Sequence, residues 1–188
     1  MPDSSRPSKP ANPYPFTRAK RTPPTDLIDT EGQVDMRRLR KYRLDRVRAE
    51  LKRRDFAGIL LFDPINIRYA TGSRNMAVWT LHNAGRYAFI PTQGPVVLFE
   101  FHGCAHLSAG LESIDEIRPA KAWYFYAAGP LVEKRAGQWA AEIADLVRAH
   151  GGGNKRLALD HCDLAGARAL QKLGIEPQEG EDAMEFAR

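Results

Sequence analysis

The stretch that decides the fold is Phe56-Ala57-Gly58-Ile59-Leu60-Leu61-Phe62-Asp63-Pro64-Ile65-Asn66-Ile67-Arg68-Tyr69-Ala70-Thr71-Gly72. Phe56 to Phe62 is a short, unbroken apolar run, as expected of a strand buried on both faces. Asp63-Pro64 ends it and starts a helix: the Asp side chain can accept from the first free N–H groups, and Pro at the first helical position loses no hydrogen bond. Gly72 supplies the left-handed stop. A buried strand passing directly into a helix is the joint of an α/β fold.

Working outward, Asp35 caps a helix running to about Arg54, with Met36, Leu39, Leu44, Val47 and Leu51 on one stripe and Arg or Lys over the rest. Downstream, Arg86–Ile90 and Pro95–Phe101 read as two strands joined at Pro91-Thr92-Gln93-Gly94, a hairpin signal. A short helix over Cys104–Leu111 and a strand near Glu116–Pro119 follow. Gly137–His150 carries Trp139, Ile143, Leu146 and Val147 at helical spacing and stops at Gly151-Gly152-Gly153-Asn154. Leu157–Leu159 is another buried strand, and Asp163 caps a helix to about Leu173. The fold class expected is α/β, a mixed, mostly buried sheet with helices on both faces.

The 188 residues carry a net charge of +5, unevenly spread. Residues 1–54 hold 15 Lys/Arg against 7 Asp/Glu, hence +8, which leaves −3 for the rest. Seven of the thirteen prolines fall within residues 1–33, so residues 1–34 read as a Pro/Arg-rich flexible arm. Residues 35–180 read as the domain proper, and 181–188, which look like a helix or strand cut short, as a truncated linker. Apart from Tyr42, no aromatic residue interleaves the basic run, which disfavours nucleic acid as a partner. No apolar run approaches 18 residues, which disfavours a membrane, and a cytoplasmic location is expected. Cys104 and Cys162 form no CxxC pair and read as free thiols.

Several candidate centres give way to plainer readings. Gly151-Gly152-Gly153 follows a helix and precedes a strand, the reverse of a phosphate loop, and is a turn. His102 and His106 share a spacing of four, but Cys104 would point away from them, so they do not make a metal site. Asp160-His161-Cys162-Asp163 sits at a strand end, yet a thiol nucleophile needs its base close in space. Residues 63–87 differ, because Asn66, Arg68, Tyr69, an exposed loop Ser73-Arg74-Asn75-Met76, then Trp79 and His82 gather polar and aromatic groups in one turn of chain.

Asn66-Ile67-Arg68-Tyr69-Ala70-Thr71-Gly72 resembles the Asn-Ile-x-Tyr-x-Thr-Gly motif of the N-terminal domain of the creatinase/prolidase family, the pita-bread metallopeptidases or Xaa-Pro peptidases. The strand ending Asp-Pro and Gly94-Pro95-Val96-Val97-Leu98-Phe99-Glu100 agree with it. The pattern Arg74-Asn75-Met76, Trp79, His82 and Arg86-Tyr87 is most similar to the dimethylsulfoniopropionate lyase branch.

The resemblance implies a non-catalytic domain that supplies dimer contacts and a loop closing the neighbouring subunit's active site. Tyr69, Arg74, Asn75, Met76, Trp79 and His82 are then the residues expected to bind a small-molecule substrate at the shared site. It also implies no catalytic residue and no metal in this chain, with iron or another divalent metal expected only in an absent C-terminal domain. The expected partner is a second copy or a full-length subunit. The alternatives are the same domain of an Xaa-Pro dipeptidase, or a stand-alone interaction module.

Overall fold

The computed structural model describes residues 31–188, with the side chain of Glu31 left aside. Met1–Val34 and Asp35–Arg188 are separate units. Of the first, only a single 3-10 turn over Glu31–Gln33 and the residue after it are described, so the arm expected over 1–34 lies almost wholly outside the described residues.

The second unit contains α1 (Met36–Arg53), β1 (Gly58–Leu61), α2 (Pro64–Thr71), α3 (Ala77–His82), β2 (Tyr87–Pro91), β3 (Val97–Glu100), β4 (Glu116–Pro119), α4 (Phe125–Ala128), α5 (Val132–His150), β5 (Arg156–Leu159), α6 (Leu164–Lys172), β6 (Glu176–Glu179) and α7 (Glu181–Ala187). The strands form one sheet in the order β4-β3-β2-β1-β5-β6. β1 pairs antiparallel with β2 and parallel with β5, and β2 pairs antiparallel with β3. The β3–β4 and β5–β6 pairs are parallel. Five strands therefore run one way and β2 alone runs back, as the hairpin signal at Pro91–Gly94 required.

The pleat sorts the core into two layers. Leu60, Tyr87, Phe89, Val97, Phe99, Leu157 and Leu159 face α5 and α6, around Trp123 and Trp139. The two indole rings lie 4.1 Å apart. On the other face Ile59, Leu61, Ala88, Ile90, Leu98 and Ala158 meet α1, α2 and α7. β1 is buried on both sides, and this explains its lack of polar alternation.

The caps read from sequence are in place. Asp35 Oδ1 accepts from Arg38 N at 2.9 Å, and Asp63 Oδ1 from Ile65 N and Asn66 N at 2.6 and 3.1 Å. Gly72 closes α2 with φ of 77°. Asp163 Oδ1 accepts from Gly166 N at 2.7 Å and caps α6, and both its oxygens also accept from Trp123 Nε1. Much of the basic face of α1 is tied to the domain itself. Arg40 pairs with Glu112 at 2.8 Å, Arg46 Nε donates to Ala187 O at 2.6 Å, and Arg54 pairs with Asp182 at 2.5 Å.

Three local expectations need correction. The helix expected over Cys104–Leu111 is a single 3-10 turn at Ala105–Leu107, too short to carry helical periodicity. β6 (Glu-Pro-Gln-Glu) and α4 (Phe-Tyr-Ala-Ala) have no apolar pattern or cap of their own and were not foreseen. By contrast, residues 181–188, read as a helix or strand, form helix α7, docked through buried Ala183, Met184 and Ala187. The loop expected to be exposed at Ser73–Met76 begins with a fully buried Ser73.

One joint connects the central strands. Asp160, at the end of β5, accepts from Phe62 N at 2.7 Å, Asp63 N at 3.1 Å and Asn66 Nδ2 at 3.1 Å. It ties the exit of β1 and the first turn of α2 to β5. Burial outweighs these three donors and raises the Asp160 carboxyl from the ordinary range to about 6.

Two expected outcomes follow from this packing. At Gly180, which leads into α7, a Cβ would meet the backbone of Leu159 at 2.8–2.9 Å. Gly180→Ala should therefore lower stability by about 1–3 kcal/mol, read from urea unfolding, because backbone has to move. For Asp160, the folded chain holds a proton between roughly pH 4 and 6 that the unfolded chain has lost. The group's contribution is complete below about pH 4 and is lost as pH rises through 6, on the order of 2–3 kcal/mol. Glu50, Glu112 and Glu116, held low by hydrogen bonds from Arg53, Arg40 and Arg118, oppose it. The informative quantity is therefore the difference between wild type and Asp160→Asn at pH 4 and pH 7, and an equal difference at both values would contradict the assignment.

Candidate functional site

The helices leaving β1 and β5 go to opposite faces of the sheet: α2 joins α1 and α7, and α6 joins α5. Between two neighbouring parallel strands, such a parting opens a crevice at their carboxyl ends. A cleft of about 230 Å³ occupies it, with a wall from β1's end (Phe62, Asp63), a wall from β5's end (His161, Cys162, Asp163), and Thr80, Leu81 and His82 of α3 across the mouth.

The chemistry of this cleft is that of a binding wall. The Asp63 and Asp163 carboxylates are engaged as helix caps. The Cys162 thiol is pushed up to about 12 by burial and by the neighbouring Asp163, so it stays protonated and is a poor nucleophile. Among the described residues, no group of three or more His, Cys, Asp or Glu side chains is placed to hold a metal ion. His106 Nδ1 instead meets Gly103 O at 3.0 Å. The described residues thus do not fit the metal centre of a pita-bread enzyme.

α3 forms the outer side of the cleft and has an unusual surface. It buries only Thr80. Met76, Val78, Trp79 and Leu81 stand 40–85 % exposed, and Phe125 and Tyr126 of α4 are 75 and 82 % exposed. Trp79 meets Tyr126 edge-on, with ring centroids 6.0 Å apart, so the two short helices share one apolar and aromatic ridge. His82 lines both the cleft and the shallow hollow along α3.

Of the six residues singled out by sequence, five lie on this segment. Arg74 and Met76 are exposed, and Asn75 is half-buried with its Nδ2 donating to Glu100 Oε1 at 2.7 Å. Trp79 and His82 lie one turn apart on α3. Tyr69 is not brought to them. Its hydroxyl donates to Ala187 O, its ring lies 5.4 Å from the Arg43 guanidinium, and it packs on the α1/α7 face of the sheet.

Sequence reasoning named Arg86 and Glu100 only as members of motifs and missed that they are completely buried and paired at 2.8 Å. It also missed Ser108, whose hydroxyl meets that of Ser73, and the two aromatics of α4. The pair had a signal: a hairpin turning at Pro91–Gly94 in the register that sets Tyr87 opposite Phe99 sets Arg86 opposite Glu100.

With this geometry in view, comparison with known proteins is informative. Residues 43–179 match the model of the creatinase/prolidase N-terminal domain. The dimethylsulfoniopropionate lyase DddP of Roseovarius nubinhibens is 37% identical over 154 residues, which is 82% of this chain and 34% of that protein. The lyase of the same name from Roseobacter denitrificans is 36% identical over 171 residues, 88% of this chain and 38% of that protein. The chain thus spans about a third of the length of these curated relatives. Among solved structures, an Xaa-Pro aminopeptidase from Streptococcus pyogenes aligns with a TM-score of 0.54 at 17% identity, covering 80% of this chain and 98% of that one. The dipeptidase PepE from Mycobacterium ulcerans aligns with a TM-score of 0.52 at 17% identity, over 81% of this chain and 37% of that one, a likeness of fold. The match over residues 43–179, with 36–37% identity to the two lyases over more than four-fifths of the chain, shows that the chain belongs to the creatinase/prolidase N-terminal domain family.

Proposed function

We propose that this chain is the non-catalytic N-terminal domain of a metal-dependent enzyme of the dimethylsulfoniopropionate lyase type, which cleaves its substrate to dimethyl sulfide and acrylate. In this reading it gives a subunit contact and a loop that closes the neighbouring subunit's active site, in the cytoplasm. The lyase branch is supported by the 36–37% identity to two proteins of that name; the peptidase neighbours, at 17%, speak for the fold alone.

The observation that carries the lid is the ridge on α3 and α4. A helix of six residues that buries one side chain and exposes three large apolar ones, with exposed Met76 just before it, gains little from its own domain. Covering such a patch removes apolar surface from water, at roughly 25 cal/mol per Å². Its chemistry suits a small zwitterion: the Trp79 face attracts an onium group, and Arg74, with five donors to share, meets a carboxylate. Seating the ridge on a partner also excludes water from the site beneath it. Iron or another divalent metal supplies Lewis-acid chemistry from the catalytic domain.

Alone, the chain should release no dimethyl sulfide and hydrolyse no Xaa-Pro dipeptide when supplied with iron, manganese or zinc. Turnover by these residues, scored by gas chromatography and by amine release, would overturn the reading. Both Trp79→Ala and Arg74→Ala should leave the chain folded, with the unfolding free energy from urea lowered by no more than about 1.5 kcal/mol for Trp79, which gives up its edge contact with Tyr126, and by about 0.5 kcal/mol or less for exposed Arg74. The matching substitutions in the full-length Roseovarius relative should lower turnover of dimethylsulfoniopropionate. Unchanged kinetics there would remove the lid. Val78→Asp with Phe125→Asp should weaken subunit association in sedimentation, because two charges then enter the apolar ridge.

A further inference from the structure

The segment that carries α3 leaves and re-enters the domain at one point. Ser73 and Arg86 are thirteen residues apart, yet Arg86 Nη2 donates to Ser73 Oγ, so residues 73–86 form an Ω-type loop closed at its neck. The neck is built from buried charge. Arg86 Nε donates to Glu100 Oε2 at 2.8 Å, and both side chains are at most 1% exposed. The other carboxylate oxygen, Oε1, accepts from Asn75 Nδ2 at 2.7 Å and Phe101 N at 2.9 Å. Ser73 is held again by Ser108 Oγ, and its N donates to Thr71 Oγ1 at 3.1 Å. Both ends of the loop are thus fixed to one ion pair on the β2–β3 hairpin.

The geometry requires a tight neck. Gly85, just before Arg86, sits where a Cβ would meet the Phe101 ring at 2.8 Å, and only a residue without a side chain fits there unstrained. Asn83 turns the chain into it, its O accepting from Gly85 N at 2.7 Å. Within the loop, α3 has no side-chain N-cap and one buried residue, so its own packing does not fix its position.

We propose that Arg86 and Glu100 are positioning residues for the lid: they set where Met76, Trp79 and His82 stand, acting through Ser73 and Asn75. This deepens the lid reading and rests on it for its functional meaning. Charge suits the task because a buried ion pair adds little net stability over apolar residues but is strongly directional. Each partner accepts or donates along a fixed fork, so the neck has one register. Leu or Met in their place would fill the volume but offer no donor to Ser73 Oγ and no acceptor to Asn75 Nδ2.

The test is hydrogen exchange of the whole chain, with acrylamide quenching of Trp79, the exposed indole; Trp123 and Trp139 are buried. Asn75→Ala should speed exchange of amides 76–83 by about tenfold or more while β1 and β5 keep their protection. Asn75→Asp, which sets a carboxylate against Glu100, should loosen them further, and the excess should disappear at a pH that protonates it. Arg86→Met with Glu100→Leu should keep the core protected and release the same amides. If that pair fails to fold, Asn75→Ala, Asn75→Asp and Ser73→Ala decide the matter. Loop amides unchanged in these variants, or all amides rising together, would overturn the proposal. Because no substrate is used, a loosened loop alongside full activity of the Trp79→Ala relative would reject the lid and leave the neck standing.

Discussion

The whole arrangement depends on β1 being buried on both faces. A strand so placed can expose no helix-facing edge, and its chain must leave through the carboxyl end of the sheet. There the α2 exit goes to one layer and the α6 exit to the other, and Asp160 binds the two departures together. The cleft is a consequence of that parting. Its walls are the first residues after each strand, which have no alternative place, and their carboxylates are taken up by the helices they start.

Polar burial is concentrated at this end of the sheet and differs in kind between its two sites. Asp160 is a carboxylate among N–H donors whose burial still favours the protonated form. Arg86 and Glu100 neutralise each other, and nearly every donor and acceptor of the pair is used; Arg86 Nη1 alone lacks a protein partner. The first ties two strands that packing already holds. The second fixes a loop that packing does not hold, which is where directionality matters most.

How much of this was legible in the sequence follows from how local each feature is. The caps at Asp35, Asp63 and Asp163, the stop at Gly72 and the β2–β3 hairpin depend on neighbours within four or five residues, and all could be read directly. β6 and α4 could not, because Glu-Pro-Gln-Glu is a strand only by pairing with β5, and Phe-Tyr-Ala-Ala is too short for a period. Ser73 looked exposed because serine beside Arg and Asn reads as a loop; its burial is set by Arg86 thirteen residues on and Ser108 thirty-five residues on. Tyr69, expected at the shared site, packs down and bonds its hydroxyl to a residue 118 positions on. Its partner is on α7, which sets it in the α1/α7 layer, away from the residues of α3.

The ridge and the cleft meet at His82, which lines both. The cleft and the hollow along α3 therefore share one side chain at their border. Loop 73–86 is held at its base by the Arg86–Glu100 pair and at mid-length by buried Thr80 and the Trp79–Tyr126 contact, while the remaining apolar side chains of α3 face solvent. His82, itself exposed, directly precedes buried Asn83 and so stands beside the neck. One short segment thus joins an apolar outer face to the buried polar anchor that sets its position.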